Sequence, residues 1–198
     1  MAVFVLSNNR LDIFDSNGAS VQANITSNCN WTTAELFELN YAQFGDTVFI
    51  AHRDNPTVKI VRSSATSFAA SIFAFEEDDT VTVRSTNKTT QPFYKYAPSS
   101  TTVTMSAHAT GTGRTLTASA SSFSSAYVGQ YLLVNNKQVF VTGHTSATVL
   151  TVTVLEDIVS NGPHADWAEQ LISSVHGFPQ AVTFHDNRLW FAGIRDKP

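Results

Sequence analysis

Short apolar stretches separated by turn-forming residues recur along the chain, and this pattern predicts β-strands. Residues 3–6 form one apolar run, and residues 11–14 form a second that leads into Asp15-Ser16-Asn17-Gly18. Asp, Asn and Gly favour turns, and glycine takes a positive φ without strain. Residues 21–26 then fit the returning strand. The start of the chain therefore predicts antiparallel strands joined by tight turns.

One short helix is predicted to begin at Thr32. The segment Thr32-Thr33-Ala34-Glu35 matches a capping box, in which the threonine hydroxyl and the glutamate carboxylate satisfy backbone amides of the first turn. Apolar residues follow at helical spacing, with Phe37 and Tyr41 four positions apart. Gly45-Asp46 is expected to end this helix.

Apolar strands and one acidic run follow the predicted helix. Residues 47–52 and 57–62 are typical of strands, and the segment 53–56 between them is rich in turn formers. Another apolar segment covers residues 68–75. The run Glu76-Glu77-Asp78-Asp79 comes next, and it lacks the ligand spacing of a calcium loop. A solvated loop is the favoured interpretation.

A change in amino-acid composition predicts an inserted module over residues 97–160. Serine and threonine dominate there, and short strands recur at intervals that suggest a small β-barrel or sandwich. Asn135-Asn136 is typical of a tight hairpin turn, because asparagine tolerates the left-handed conformation. The predicted strands of the insert cover residues 101–106, 114–118, 130–134, 138–142 and 148–155.

The predicted domain organisation has three parts. Residues 1–96 form an N-terminal β region with the short helix, residues 97–160 the inserted barrel, and residues 161–198 a return to the main β region. The last part predicts a further hairpin with its turn at residues 185–187. A strand so close to the end of the sequence suggests truncation.

Charge and cysteine content narrow the function classes. Charged residues make up 14% of the chain and the net charge is −4, against roughly 25% charged residues in an average globular protein. The lysines and arginines are scattered singly along the sequence, which disfavours binding to a nucleic-acid backbone. Cys29 is the single cysteine, so an internal disulfide is excluded. The serine- and threonine-rich composition suits virion proteins and adhesins, and equally a cytosolic β domain.

The amino-terminal segment and the hydropathy disfavour targeting and membrane insertion. The apolar start is about six residues long and lacks the basic region of a signal peptide. No stretch approaches the roughly 18 apolar residues that a membrane-spanning helix requires. We therefore expect synthesis in a cytoplasm and no membrane span.

Several polar pairs are candidates for chemistry. His185-Asp186 and His164 with Asp166 could bind a metal or transfer protons, but neither pair has a third ligand at a recognisable spacing. An aspartate that caps its own turn explains them better. Sugar hydrolysis would require two facing carboxylates. Glu156-Asp157 and Asp166 with Glu169 are the candidates for that role.

The aromatic residues near the end of the chain allow two interpretations. Trp167, Phe178, Trp190 and Phe191 could form a platform that stacks against sugars. Aromatic residues in strands more often form a core. The sequence contains no Gly-x-Ser-x-Gly elbow. We therefore predict no catalytic, cofactor-binding or metal-binding residues.

Motifs at both ends of the chain resemble a family of phage proteins. The first half carries Trp31-Thr32-Thr33-Ala34-Glu35-Leu36, then Gln43-Phe44-Gly45-Asp46, and a strand ending in His52. Pro56 and Lys59-Ile60-Val61-Arg62 follow. The second half carries Trp167, Gly177-Phe178-Pro179, residues 181–185 and residues 188–193. These segments resemble the tail tubular or nozzle proteins of short-tailed bacteriophages.

The insert carries a resemblance of its own. Ser122-Phe123 and Tyr127-Val128-Gly129 are similar to a small β-barrel that often interrupts this family, and that resembles the half-domain beside the catalytic cysteine of ubiquitin-activating enzymes. Cys29 lies outside the insert, and no Gly-rich nucleotide loop is present. This resemblance therefore does not imply that the chain activates ubiquitin.

The resemblance implies a structural role in the virion tail, after assembly in the cytoplasm of a bacterial host. It implies a six-fold ring of identical subunits that conducts viral DNA without specific binding and contacts portal, adaptor and tail fibre proteins. It also implies that the full protein continues into a larger propeller-like β region. We expect no enzyme activity and no cofactor. The alternatives are a tail-associated module that binds host glycans and a tail-borne hydrolase.

Overall fold

The computed structural model describes residues 2–83 and 86–197, apart from the side chains of residues 78–82. Antiparallel strands dominate this part of the chain, which confirms the predicted mainly β fold. The strands in chain order are β1 (Ala2–Ser7), β2 (Arg10–Asp15), β3 (Ser20–Ile25), β4 (Asn40–Phe44), β5 (Thr47–His52), β6 (Asn55–Ser64), β7 (Ser67–Ile72), β8 (Glu77–Val83), β9 (Thr86–Thr89), β10 (Phe93–Tyr94), β11 (Val103–Met105), β12 (Gly111–Ala118), β13 (Tyr131–Val134), β14 (Lys137–Ser146), β15 (Val149–Val154), β16 (Trp167–Gln170), β17 (Pro179–His185) and β18 (Arg188–Ile194).

The chain divides into two compact units. The first unit contains the residues up to Ala74 and those from His176 onward, and the second contains Phe75–Val175. The second unit is wider than the predicted insert 97–160. It also includes β10 and β16, because both strands hydrogen-bond within its seven-stranded sheet.

Three β-layers build the first unit, and β5 lies in the middle layer. The sheet β4-β5-β6-β7 is flanked by the sheet β1-β2-β3 and by the hairpin β17-β18. Successive side chains of a strand point to opposite faces. Val48 and Ile50 therefore pack into the core shared with the first sheet, and Phe49 and Ala51 into the core shared with the hairpin.

Side chains fasten the first layer to the second. Trp31 is buried, and its indole nitrogen donates to the Ser7 carbonyl at 2.9 Å. Gln22 on β3 makes two hydrogen bonds with the backbone of Phe68 on β7, at 3.1 and 2.7 Å. Truncation of a buried tryptophan to alanine typically costs roughly 3–5 kcal/mol. Trp31 is thus the largest single anchor of this layer.

The predicted helix is wrong in its extent. The structure forms one 3-10 turn over Thr33–Glu35, and the Glu35 carboxylate accepts from the Thr32 amide at 2.6 Å, as the capping pattern predicts. The chain then continues into β4, which pairs with β5 in the register Tyr41↔Ile50. Pairing with a buried strand outweighs the helical spacing of the apolar residues. Gly45-Asp46 is the turn of this hairpin, and Gly45 has a φ of +56°.

The second unit is built on a curled, half-barrel sheet of seven strands. Their order is β10-β16-β13-β14-β15-β12-β11. Asn135 and Asn136 join β13 to β14 with φ values of 49° and 60°, which confirms the predicted left-handed turn. The concave side holds a core of buried residues that includes Leu116, Leu132 and Trp167.

Hydrogen bonds join residues 164–169 to earlier parts of the second unit. Val103 on β11 and His164 exchange backbone hydrogen bonds of 2.9 and 2.8 Å. The Trp167 indole donates to the Thr101 carbonyl at 2.8 Å. A buried hydrogen bond of 2.5 Å joins the Tyr127 hydroxyl to Glu169. Residues after the predicted end of the insert therefore complete its core.

The acidic run is a strand where the sequence favoured a loop. Glu77 begins β8, and Asp78 pairs with Lys88 on β9. The Glu77 carboxylate accepts from the Asn87 amide at 2.9 Å. The side chains of Asp78 and Asp79 lie outside the described residues.

Gly177, part of the Gly-Phe-Pro motif, occupies a position that only glycine fits. Its φ is +93°, and an added Cβ would lie 2.5 Å from the Arg195 Cβ and 2.9 Å from the Arg53 carbonyl oxygen. The following amide, that of Phe178, donates to the same Arg53 carbonyl at 2.7 Å. The motif therefore fastens β17 to the turn between β5 and β6.

We predict that Gly177→Ala lowers the free energy of unfolding by about 2 kcal/mol or more, because it adds a steric clash to backbone strain. Gly18→Ala is the matched control, since Gly18 has a φ of +82° with no atom near its Cβ position. Chemical denaturation followed by tryptophan fluorescence measures both variants. Equal losses in the two would show that the close contact contributes nothing.

Candidate functional site

A groove of about 750 Å³ opens in the first unit between β1 and β4. Each of these strands is at the edge of its own sheet. Phe4 and Leu6 of β1 line the groove, and they alternate with Val3 and Val5, which are exposed on the opposite face. An edge strand presents unpaired backbone groups that can pair with another chain. The groove therefore combines an apolar floor with two open strand edges.

Three exposed aromatic side chains lie on the segment that leads through β4. Phe37 is 99% exposed, Tyr41 74% and Phe44 57%. Tyr41 also lines the groove, and Phe44 packs against Phe184 with ring centroids 5.2 Å apart. Sequence reasoning missed them because it placed Phe37 and Tyr41 on the apolar face of a helix. No local pattern marks residues 40–44 as a strand, and only their pairing with β5 reveals it.

A polar pair marks one end of the groove. The Arg62 guanidinium lies 3.8 Å from the Asp46 carboxylate, and the Arg62 amide donates to the Asp46 carbonyl at 2.9 Å. Both side chains are largely exposed, so their ion pair adds little to stability. Arg62 also lies over the Phe68 ring at 5.9 Å. The rim thus carries one positive and one negative charge beside the apolar floor.

His52, one of the motif residues, is a buried histidine between two glutamates. Its Nδ1 accepts from the Asp54 amide at 3.3 Å, and its Nε2 lies 3.5 Å from the Glu38 carboxylate. Glu35 lies 3.9 Å from Nδ1, and the hydrogen bond from the Thr32 amide is the main cause that lowers the pKa of Glu35. The arrangement caps the turn after β5 and ties it to the 3-10 turn.

Neither histidine–aspartate candidate belongs to a three-ligand metal site among the described residues. His185 and Asp186 lie 3.4 Å apart at an exposed hairpin tip, with Asp186 at a φ of 50°. The ring of His164 is buried and contacts the Asn135 amide at 2.8 Å and the Ser160 carbonyl at 2.9 Å. Asp166 forms an ion pair with Lys95 at 2.6 Å. His164 and Asp166 therefore have separate partners, whereas His185 and Asp186 lie next to each other on the surface.

The carboxylate candidates also have separate partners. Glu156 lies between Lys88 at 3.2 Å and Lys137 at 3.4 Å, and these lysines lower its pKa although burial opposes the shift. Asp157 accepts from the amide and the hydroxyl of Thr110, both at 2.7 Å, and these bonds lower its pKa. Glu169 is buried against Tyr127, whose pKa is raised by burial and by this carboxylate.

The four aromatic candidates do not behave as one cluster. Trp167 is buried in the core of the second unit, whereas Trp190 in the first unit is 51% exposed. Phe191 packs against Phe73 with ring centroids 5.2 Å apart, and Phe178 is half-buried after Gly177. Trp190 alone among the four presents a largely exposed ring.

The described residues contain no group of three side chains arranged to hold a metal ion. No helix in the described ranges has the length and apolar character to cross a membrane. The chain matches none of the known protein-family models and none of the curated proteins with which it was compared.

Cys29 is buried in the first unit, and its thiol donates to the Ile25 carbonyl at 3.3 Å. Burial raises the pKa of this thiol from 9.0 to about 11. The thiolate is the reactive form of cysteine. Cys29 therefore has little nucleophilic character at neutral pH.

We predict that native Cys29 reacts with iodoacetamide at least roughly a hundredfold more slowly than the unfolded chain at neutral pH, since two pKa units reduce the thiolate fraction by that factor. Mass spectrometry of the alkylated protein, with and without guanidinium, measures the ratio. Comparable rates in the two states would contradict the buried environment of this side chain.

Proposed function

We propose that this chain is a structural component of a bacteriophage tail, of the tubular or nozzle type, whose subunits associate in a ring. The observation that carries the proposal is the groove of the first unit, which the open edges of β1 and β4 flank. The unpaired backbone groups of an edge strand can pair with a strand of another chain. The resemblance of the sequence motifs supplies the class of assembly.

The motif residues have structural roles in the first unit. Trp31 is a core residue, His52 caps the turn after β5, and Gly177 fastens β17 to that turn. All three act through packing and backbone hydrogen bonds of the first unit. Such roles fit a protein whose work is geometric.

The edge strands suit a ring of identical subunits. A head-to-tail contact uses two different surfaces of each subunit and closes when the rotation between neighbours allows it. The groove beside β1, which Tyr41 also lines, supplies one surface. The exposed rings of Phe37 and Phe44, which lie outside the lining of the groove, supply a second. Aromatic residues are enriched in protein interfaces. We propose that this region forms the subunit contact in a six-fold ring.

The charge of the chain suits a conduit for DNA. The net charge of −4 gives a weakly acidic protein, and scattered lysines and arginines offer no continuous track for phosphates. A wall of this kind lets the duplex pass without adhesion. Portal, adaptor and tail fibre proteins are the neighbours we propose for the ring in the virion tail.

A second candidate function is recognition of a host glycan by the first unit. The exposure of Trp190, at 51%, favours it, because a flat exposed ring can stack against a sugar. Its indole nitrogen donates to the His185 carbonyl at 3.3 Å, which fixes the ring on the β17-β18 hairpin. This function is compatible with a place in a phage tail.

We predict that the purified chain forms a closed oligomer, and that Phe37→Ser and Tyr41→Ser together shift it towards the monomer. Both side chains are exposed within the subunit, so their loss leaves its fold intact. Mass photometry over a dilution series measures the distribution, with Trp190→Ser as the matched exposed-aromatic control. A monomer at every concentration, or equal dissociation of the control, would contradict the proposed interface.

A further inference from the structure

A shallow pocket of about 440 Å³ lies on the half-barrel sheet of the second unit. Its floor is apolar. Leu133 pairs with Ala168, and Phe93 pairs with Gln170 two positions further along β16. Alternate residues of a strand share a face, so Phe93, Leu133 and Ala168 lie on the same face of the sheet. This is the face opposite to the core, since Leu132 and its neighbour Val134 point inward.

The rim of the pocket carries one hydrogen-bond donor beside one acceptor. Lys95 follows β10 and Asp166 precedes β16, and antiparallel pairing brings these two strand ends together. The Lys95 ammonium lies 2.6 Å from the Asp166 carboxylate, with the side chains 64% and 47% exposed. Asn136 adds an amide from the hairpin turn, which is held in place because the Asn135 amide donates to the Asp166 carbonyl at 2.8 Å.

We infer that this pocket binds a neutral saccharide through the Lys95–Asp166 pair and the Phe93 face. A sugar hydroxyl both donates and accepts, so one hydroxyl can bond the carboxylate while its neighbour bonds the ammonium. The apolar C–H face of the sugar ring packs against an aromatic ring. Phe93 is the aromatic side chain on this face, because its neighbour Tyr94 pairs with Glu169 and points to the opposite face.

The charges of the rim select against ionic ligands. An anion near Lys95 also meets Asp166, and a cation near Asp166 also meets Lys95. The volume lies within the range of small-molecule sites, and an apolar lining with a few convergent polar groups is their usual composition. The pocket belongs to the second unit and Trp190 to the first, so the two saccharide hypotheses concern different residues.

Chemical-shift mapping of the full chain tests the inference. The probes are the methyl α-pyranosides of glucose, galactose, mannose and N-acetylglucosamine, titrated into ¹⁵N-labelled protein. We expect at least one of them to shift amide signals confined to residues 93–95, 133–136 and 166–168. Asp166→Asn replaces a charge-assisted hydrogen bond with a weaker neutral one, and Lys95→Met removes a charged donor. Each substitution should weaken that binding about tenfold.

Asp54→Asn is the matched control, because Asp54 is an exposed carboxylate paired with Arg195 at 3.3 Å in the first unit. It should bind as the parent does. Unchanged spectra outside the pocket show that each variant is folded. Absence of shifts with all four probes, shifts confined to the Trp190 hairpin, or unchanged affinity in folded Asp166 and Lys95 variants would each overturn the inference. None of these results bears on whether the chain forms a ring.

Discussion

Strand β5 is apolar on both faces, and the layering of the first unit depends on it. Val48 and Ile50 require a partner layer on one side, and Phe49 and Ala51 require another on the opposite side. A strand buried on both faces cannot lie at the surface of a two-layer sandwich. The β17-β18 hairpin supplies the third layer from the end of the chain, which is why the first unit is discontinuous in sequence. Motif residues then fasten the C-terminal end of β5: His52 caps the turn that follows it, and Gly177 brings the hairpin against the same turn.

The same architecture leaves the candidate interface open. Gln22 and Phe68 join β3 to β7, so the first two layers meet at that side. At the other side β1 and β4 each end their sheets, and within the described residues no further strand pairs with them where the groove lies. Proteins commonly protect such edges with charges, prolines or bulges. The sequence of β1, Ala-Val-Phe-Val-Leu-Ser, has none of these residues, which is consistent with an edge that is covered in an assembly.

Local signals predicted most strands, and non-local contacts account for the main differences. The turns at Gly18, at Asn135-Asn136 and at Asp186-Asn187 all adopt the positive φ values that their residue types favour. The helix prediction beyond Glu35 was wrong because residues 36–41 have helical spacing, and only pairing with β5 reveals β4. Trp167 was grouped with Trp190 because both lie near the end of the sequence. In the structure Trp167 is buried in the core of the second unit, and its indole nitrogen donates to the carbonyl of Thr101, 66 positions away. A pattern of neighbouring residues cannot reveal a contact over that distance.

The central claim is a structural role in a phage tail, and immunogold electron microscopy tests it most directly. Antibody raised against this chain would be applied to purified phage particles, with an immunoblot of the same particles. The account predicts gold at the tail tube or nozzle and a band in the blot. Gold confined to peripheral fibres would favour the glycan-binding alternative. Particles with neither gold nor a band would contradict the virion assignment.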